Sequence, residues 1–455
     1  MTPHEHHIQE HPVLSFERYG VAFHFVDRTP GPPYRIRSSP EFSSFERDLV
    51  SYAYREEPPF GTRILPVPDA IRHVEIQYPA GLSYVSEGLE IRLVCADADP
   101  ARGRRRAVDV HASRTDFRSG LSVFHLVLSP GAATDAARFN EYDLVKLIKL
   151  WEGGEGVGVD SSLRIDRRVT FLSKDGDPLT IEDMAARTLG LRDAHTRQPR
   201  LGTVQVITGD TAAPPGSVDW NTVWHVIHAL KSSSPGDASP DEVHTNAVKG
   251  VAGVMQGLLD FDRVGPSELS DVFGSVHVAD GLLIAVHKGT LVSMAASDRA
   301  FDAAPFVGIS PYLLAPAAVL AHNEECLRMA SEASNEATST TLRVLDAARR
   351  MMHQGLDRDP LPNIFHYPTE RMIYTVGEES RGLRDQQLAL RGKLSEIRSE
   401  LQAITERRRR TAEDVMGGLL LILSGITLKD MLPISIVLPV FSLGALAYVY
   451  WRLRT

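Results

Sequence analysis

The sequence predicts an α/β (α+β) cytosolic domain, then a long helical stalk, then a C-terminal two-helix transmembrane hairpin. Three observations carry this. Strand-like and helical patterns alternate through residues 13–310. Apolar residues recur in steps of four and three from Leu390 to Ile404. Residues 415–451 carry only two charges, Lys429 and Asp430. The whole chain has 455 residues, 49 Lys+Arg against 58 Asp+Glu, and a formal net charge of −9. At about 150 residues per domain this length allows about three units. An acidic balance argues against nucleic acid as a partner, because phosphate binding needs a basic face. The 2 cysteines cannot build a disulfide framework, which fits a reducing compartment.

The chain opens on a His-rich tail, residues 1–12, with His4, Glu5, His6, His7 and His11. Imidazoles at that density can bind Zn²⁺ or Ni²⁺, but a disordered tail with incidental histidines is the better reading. In the α/β domain, residues 89–96, 121–128 and 163–171 read as strands. Residues 282–287 and 290–294 flank Lys288 and Gly289, a hairpin signal. Leu144, Leu147, Ile148 and Trp151 share one face of a helix over 141–151, stopped by Gly153 and Gly154. Thr180 and Asp183 have the spacing of a capping box. Residues 209–216 and 232–240 read as loops.

Chemistry-bearing clusters are sparse. Asp97 with Asp99, and Asp175 with Asp177 around Gly176, are acidic pairs that a regulatory divalent ion would accept; turn chemistry explains them without an ion. His225 and His228 lie one helical turn apart, and His322, Glu325 and Cys326 can share a face, yet neither set has the spacing of a zinc motif. Arg102, Arg104, Arg105 and Arg106 read as a solvated loop. The glycines of 153–158 follow a helix instead of a strand and so fail as a dinucleotide loop, and no hydrolase, P-loop or metalloprotease motif occurs. The expectation is a protein that is not an enzyme.

The stalk region is 311–414. Leu390, Leu394, Ile397, Leu401 and Ile404 have coiled-coil spacing, with Leu383 extending the register and Gln387 interrupting it. An amphipathic helix packed on its own domain has the same pattern. A second helical block, 316–354, ends before Pro360 and Pro362 and is long enough for an antiparallel hairpin with the stalk. A stalk feeding into the bilayer suggests a homo-oligomer around an axis.

The uncharged segment 431–451 is long enough for a membrane span, which needs about 20 apolar residues. A single straight helix over 415–451 would be about 55 Å long. That exceeds a hydrocarbon core of about 30 Å and would leave Lys429 and Asp430 in lipid. Two short helices folded at that pair resolve both problems. Arg407, Arg408, Arg409 and Arg410 before the stretch, and Arg452 and Arg454 in the tail 452–455, place both flanks inside. Tyr448, Tyr450 and Trp451 form an interfacial anchor. The rival is one span over 431–451 preceded by a re-entrant or interfacial 416–428.

This order of parts resembles the CorA-type divalent-metal ion transporter superfamily. Pro311, Tyr312, Leu313 and Leu314, the helix over 316–354 and the stalk over 371–411 carry the likeness. The resemblance implies a homopentamer in the inner membrane with its termini cytoplasmic. It implies a pore lined by the first membrane helix, conducting Mg²⁺ or Zn²⁺ and gated by the cytosolic domain. The family's Gly-Met-Asn is absent: the position reads Ile426, Thr427, Leu428, Lys429, Asp430 and Met431. On this resemblance Gly417, Leu420, Ser424 and Thr427 would line the pore, with Lys429 and Asp430 at its mouth, where a lysine repels divalent cations. Helix packing through Gly417, Gly418, Ser424 and Gly425 explains the same small residues. The expected function is a metal-cation transporter or channel. The alternative is a membrane-anchored sensor or effector whose α/β domain binds a partner or signal.

Overall fold

The computed structural model describes residues 11–16, 18–28, 71–75, 89–93, 103–117, 119–130, 138–148, 169–173, 175–189, 191, 198–208, 218–231, 242–279, 282–287, 289–296, 311–337, 342–358, 360–361, 365, 368–431, 439 and 442–444. The chain divides into two compact units. Unit 1 comprises Met1–Arg328 and Asp359–Gln387, and unit 2 comprises Met329–Arg358 and Leu388–Thr455.

Unit 1 is built on one 11-stranded sheet. Its strands are β1 (Arg18–Asp27), β2 (Ile71–Glu75), β3 (Leu89–Leu93), β4 (Arg104–Phe117), β5 (Ser122–Pro130), β6 (Val169–Leu172), β7 (Pro178–Leu179), β8 (Leu201–Ile207), β9 (His277–Ala279), β10 (Leu282–His287) and β11 (Thr290–Ala295). The order is β7-β6-β3-β4-β5-β1-β8-β11-β10-β9, with β2 also paired to β4. β8 and β11 run parallel, while the neighbouring pairs β1–β5, β1–β8 and β10–β11 are antiparallel. Period-two alternation sends Val21, Phe23 and Phe25 to one face, opposite Leu128, Leu126 and Phe124. That face is covered by α1 (Glu141–Ile148), α2 (Ile181–Leu189), α3 (Trp220–Lys231), α4 (Glu242–Gln256) and α5 (Pro266–Ser275), whose apolar residues complete the core. α4 lies close over Phe261, so a methyl group at Gly253 would overlap that ring.

The other face carries Ala22, His24 and Val26 of β1. Here α6 (Pro311–Glu336) lays His322 on the ring of Phe117, with centroids 4.0 Å apart. α8 (Pro368–Ser380) packs beside α6, placing Gly377 against Leu320.

Several sequence expectations meet their structure here. The hairpin pairs His287 with Thr290 as expected. Thr180 and Asp183 exchange reciprocal bonds, Thr180 N to Asp183 Oδ2 at 3.2 Å and Asp183 N to Thr180 Oγ1 at 3.1 Å. The arginine run is not a free loop: Arg104, Arg105 and Arg106 open β4. Arg104 Nη2 lies 2.9 Å and Arg106 Nη2 3.5 Å from the carboxylate of fully buried Asp143. A buried carboxylate needs cationic partners, and the alternation of β4 supplies two on one face.

Unit 2 is helical. The block over 316–354 is two helices, because α6 ends at Glu336 and α7 spans Leu342–His353, followed by a π-turn at Gln354–Arg358. Ala337 N bonds the carbonyls of both Ala333 and Ser334, tightening the last turn of α6. The intervening Thr338, Ser339, Thr340 and Thr341 are poor helix formers.

α9, Leu383–Met431, is one continuous 49-residue helix. It begins after Gly382, whose φ of +60° suits glycine at a helix end. Arg391 Nη2 reaches Asp357 Oδ1 at 3.2 Å. Leu342, Asp346 and Arg349 share a groove with Arg398, Leu401, Gln402, Thr405, Glu406 and Arg409, so α7 runs antiparallel to α9. Leu390, Leu394 and Ile397 are buried within this single chain, as are Leu345, Ala348 and Met352 of α7. The heptad-like seam therefore serves intramolecular packing.

α9 carries through Lys429 and Asp430 instead of turning at them. Its uncharged run, 415–428, is about 21 Å long at 1.5 Å per residue, short of a hydrocarbon core of about 30 Å. Among the described residues no helix is long and apolar enough to cross a membrane. Most of the expected second segment lies outside the described residues.

Candidate functional site

Two places in the chain depart from ordinary core and surface. The first is the α6-facing side of the sheet. On β1 and β5 a histidine interrupts each apolar run, and the register sets His24 directly opposite His125. Both are fully buried. Their Nδ1 atoms lie 2.7 Å apart, so one nitrogen carries the proton and the other accepts it. His24 Nε2 lies 2.7 Å from Thr203 Oγ1 and His125 Nε2 lies 2.9 Å from Thr115 Oγ1. Thr203, His24, His125 and Thr115 thus form one hydrogen-bonded chain across β8, β1, β5 and β4. Burial pushes His24 down to about 3, which keeps the ring neutral. Such a chain fixes register, since a one-residue slip would move both imidazoles to the opposite face.

Beside this chain α6 presents a second polar group. His322 Nε2 lies 2.8 Å from Ser119 Oγ and its Nδ1 lies 3.0 Å from Asn323 Oδ1. Burial lowers His322 to about 4. Cys326 Sγ is 3.7 Å from His322 Nε2. Asn323 also holds Leu361: its Oδ1 accepts from Leu361 N at 2.8 Å and its Nδ2 donates to Leu361 O at 2.7 Å. Glu325 faces elsewhere, toward Arg28 at 2.6 Å, Arg328 at 2.5 Å and Arg200 at 3.5 Å. Burial alone would raise this carboxyl, but hydrogen bonds from Arg328 and Arg28 and the nearby positive charge hold it below its ordinary value. Glu324 pairs with Arg381 of the α8–α9 turn. The arginines thus occupy Glu325, and among the described residues no group of three His, Cys, Asp or Glu side chains is placed to hold a metal.

The second place is the far end of α9. Val415, Met416, Leu419, Leu420, Leu423 and Ile426 are all roughly half exposed, with Leu420 at 60%. A run of exposed large apolar side chains marks an interaction surface. Gly417, Leu420, Ser424 and Thr427 lie within one arc of this helix at about 100° per residue. Ser424 Oγ donates to Leu420 O at 2.7 Å, and Thr427 Oγ1 donates to Leu423 O at 3.1 Å. The proton of each hydroxyl is therefore taken by its own helix, and the oxygen lone pairs stay available as acceptors. Lys429 and Asp430 sit in its last turn.

The remaining sequence candidates scatter. Asp175 and Asp177 flank Gly176 in the β6–β7 turn, where Asp177 N donates to Ser173 Oγ at 3.1 Å and Gly176 has φ +84°. This is turn chemistry. Asp97 and Asp99 lie outside the described residues, as do His4, Glu5, His6 and His7. His225 and His228 are exposed on α3.

Sequence reasoning missed the His24–His125 pair and the caging of Glu325. The only local signal was a lone histidine within each apolar run, Ala22-Phe-His-Phe-Val26 and Val123-Phe-His-Leu-Val127. No family model matches the chain, and no curated protein matches it either.

Proposed function

We propose that this is a membrane-anchored sensor or effector. The sheet domain acts on the cytosolic side, and the end of α9 with the apolar residues after it forms the anchor. The carrying observation is the row from Val415 to Ile426, exposed on a helix whose upstream seam is satisfied within the chain. Apolar surface of this extent needs a partner, and lipid is the partner that a helix apolar on all sides accepts. An inner-membrane location with cytosolic termini, and self-association through the small face at Gly417, Gly418, Ser424 and Gly425, belong to this reading.

The test is fractionation of the full chain from cells, followed by an alkaline carbonate wash. Wild type is expected to stay with the membranes. The triple variant Leu419→Asp, Leu420→Asp, Leu423→Asp is expected in the soluble fraction with an unchanged near-UV spectrum. Wild type found wholly in the soluble fraction would end the proposal.

A second reading is a CorA-like metal-cation transporter, with Mg²⁺ or Zn²⁺ as its cargo. The grouping of Gly417, Leu420, Ser424 and Thr427 on one unbroken helix favours it. Lys429 in the last turn of that helix, a charge that repels divalent cations, makes it the weaker of the two. Flux of Mg²⁺, Zn²⁺ or Co²⁺ into proteoliposomes, abolished by Ser424→Leu with Thr427→Leu, would reverse that ranking.

A further inference from the structure

We infer that α9 carries a binding collar for the phosphates of anionic lipids, made by Arg407, Arg408, Arg409 and Arg410. This rests on the membrane-anchor reading and names the lipid class that the anchor takes. All four side chains are exposed. Consecutive helical residues step about 100° around the axis, so four guanidinium groups spread around the helix within about one turn. A helix lying flat on a bilayer carries its basic residues as a one-sided stripe. A collar suits a helix that enters the surface end-on, where headgroups surround it. The spacing agrees. From Arg410 to exposed Val415 is about 7.5 Å along the axis, the depth that separates headgroup phosphates from the first buried side chains.

The collar is also electrostatically available. Arg409 Nε is held by Glu413 at 2.8 Å. Among the described residues Arg407, Arg408 and Arg410 make no ion pair. Guanidinium groups take phosphate through paired N–H donors and keep their charge at every physiological pH. The choice of lipid over nucleic acid follows from the neighbourhood, since one turn beyond the collar, after Glu413 and Asp414, the exposed apolar residues Val415 to Ile426 begin, and the chain as a whole is at −9.

The experiment uses the full chain, diluted from non-ionic detergent into a mixture of two vesicle populations of different density. One is phosphatidylcholine and the other also contains phosphatidylglycerol. Wild type is expected to favour the anionic vesicles. Each basic side chain near such a surface contributes roughly a fivefold preference. Replacement by Arg407→Gln, Arg408→Gln and Arg410→Gln should therefore lower the preference by roughly a hundredfold, and the three corresponding Arg→Lys changes should keep most of it. Raised salt should weaken it and inorganic phosphate at the same ionic strength should not compete further.

Equal partition of wild type between the two populations overturns the collar and leaves the anchor standing. So does a Gln variant that keeps the wild-type preference, or displacement from anionic vesicles by duplex DNA at matched charge. Binding to neither population overturns the anchor and the collar together.

Discussion

The sheet of unit 1 and the distal half of α9 treat their side chains in opposite ways. In the sheet, several polar and charged groups that enter the interior are matched within the chain. His24 finds His125 and Thr203, Asp143 finds Arg104 and Arg106, and Glu325 finds three arginines. In distal α9 large apolar groups stay exposed and four arginines stand together in solvent. The first region finds these partners within itself. The second leaves large apolar side chains exposed among the described residues, and the membrane-anchor proposal rests on that exposure.

Substitutions sharpen that comparison, and the largest effect is expected in the sheet. Phe23 is fully buried. Phe23→Ala should cost about 3–5 kcal/mol of unfolding free energy. Leu423→Ala should change it by no more than about 0.5 kcal/mol, while reducing the protein retained by membranes. Urea titrations of both variants measure the contrast, and equal losses would erase it.

Glycines give a smaller contrast of opposite sign. Gly253→Ala pushes a methyl into the Phe261 ring and should destabilise by about 1–3 kcal/mol. Gly392, on an exposed face of α9, has nothing within 4 Å of the added atom. Gly392→Ala should raise helix stability by up to about 1 kcal/mol, read as a higher midpoint in thermal unfolding of the helical signal.

Acid should separate the regions most gently. His24 and His322 are lowered by burial to about 3 and about 4 from 6.5. The unfolded chain therefore binds their protons first. The stability these rings provide is present above about pH 6.5 and is lost as pH falls toward those folded values. Glu141, raised by burial to about 7, works the other way and withdraws stability as pH rises from about 4.5 through 7. Urea midpoints at a series of pH values should therefore fall on acidification below 6.5, and His24→Gln should flatten that fall. An unchanged slope in the variant would show that the His24–His125 chain does not govern it.

The parts legible in the sequence are those whose cause is local. The β10–β11 hairpin follows from Lys288 and Gly289, and the start of α2 follows from Thr180 and Asp183. The steps from Leu390 to Ile404 specify a one-sided helix without saying what covers it. That face is covered by the chain itself, which spacing does not encode because an intramolecular and an intermolecular seam have the same period. The arginines of β4 look like a solvated loop until Asp143, buried 39 residues from Arg104, is brought beside them. Asp97, Asp99 and most of the second apolar segment lie outside the described residues and keep only their sequence reading.

By itself the sequence determined the mixed α/β character, the helical C-terminal third and the concentration of apolar residues after Arg410. Periodicity and composition act over a few residues and need no partner to be read. Tertiary structure alone decided the pairing of His24 with His125 across 101 residues, the three-arginine cage on Glu325, and the continuity of α9 through Lys429 and Asp430. Each of these depends on where burial removes water. Desolvation is a property of the packed chain, and no local pattern carries it.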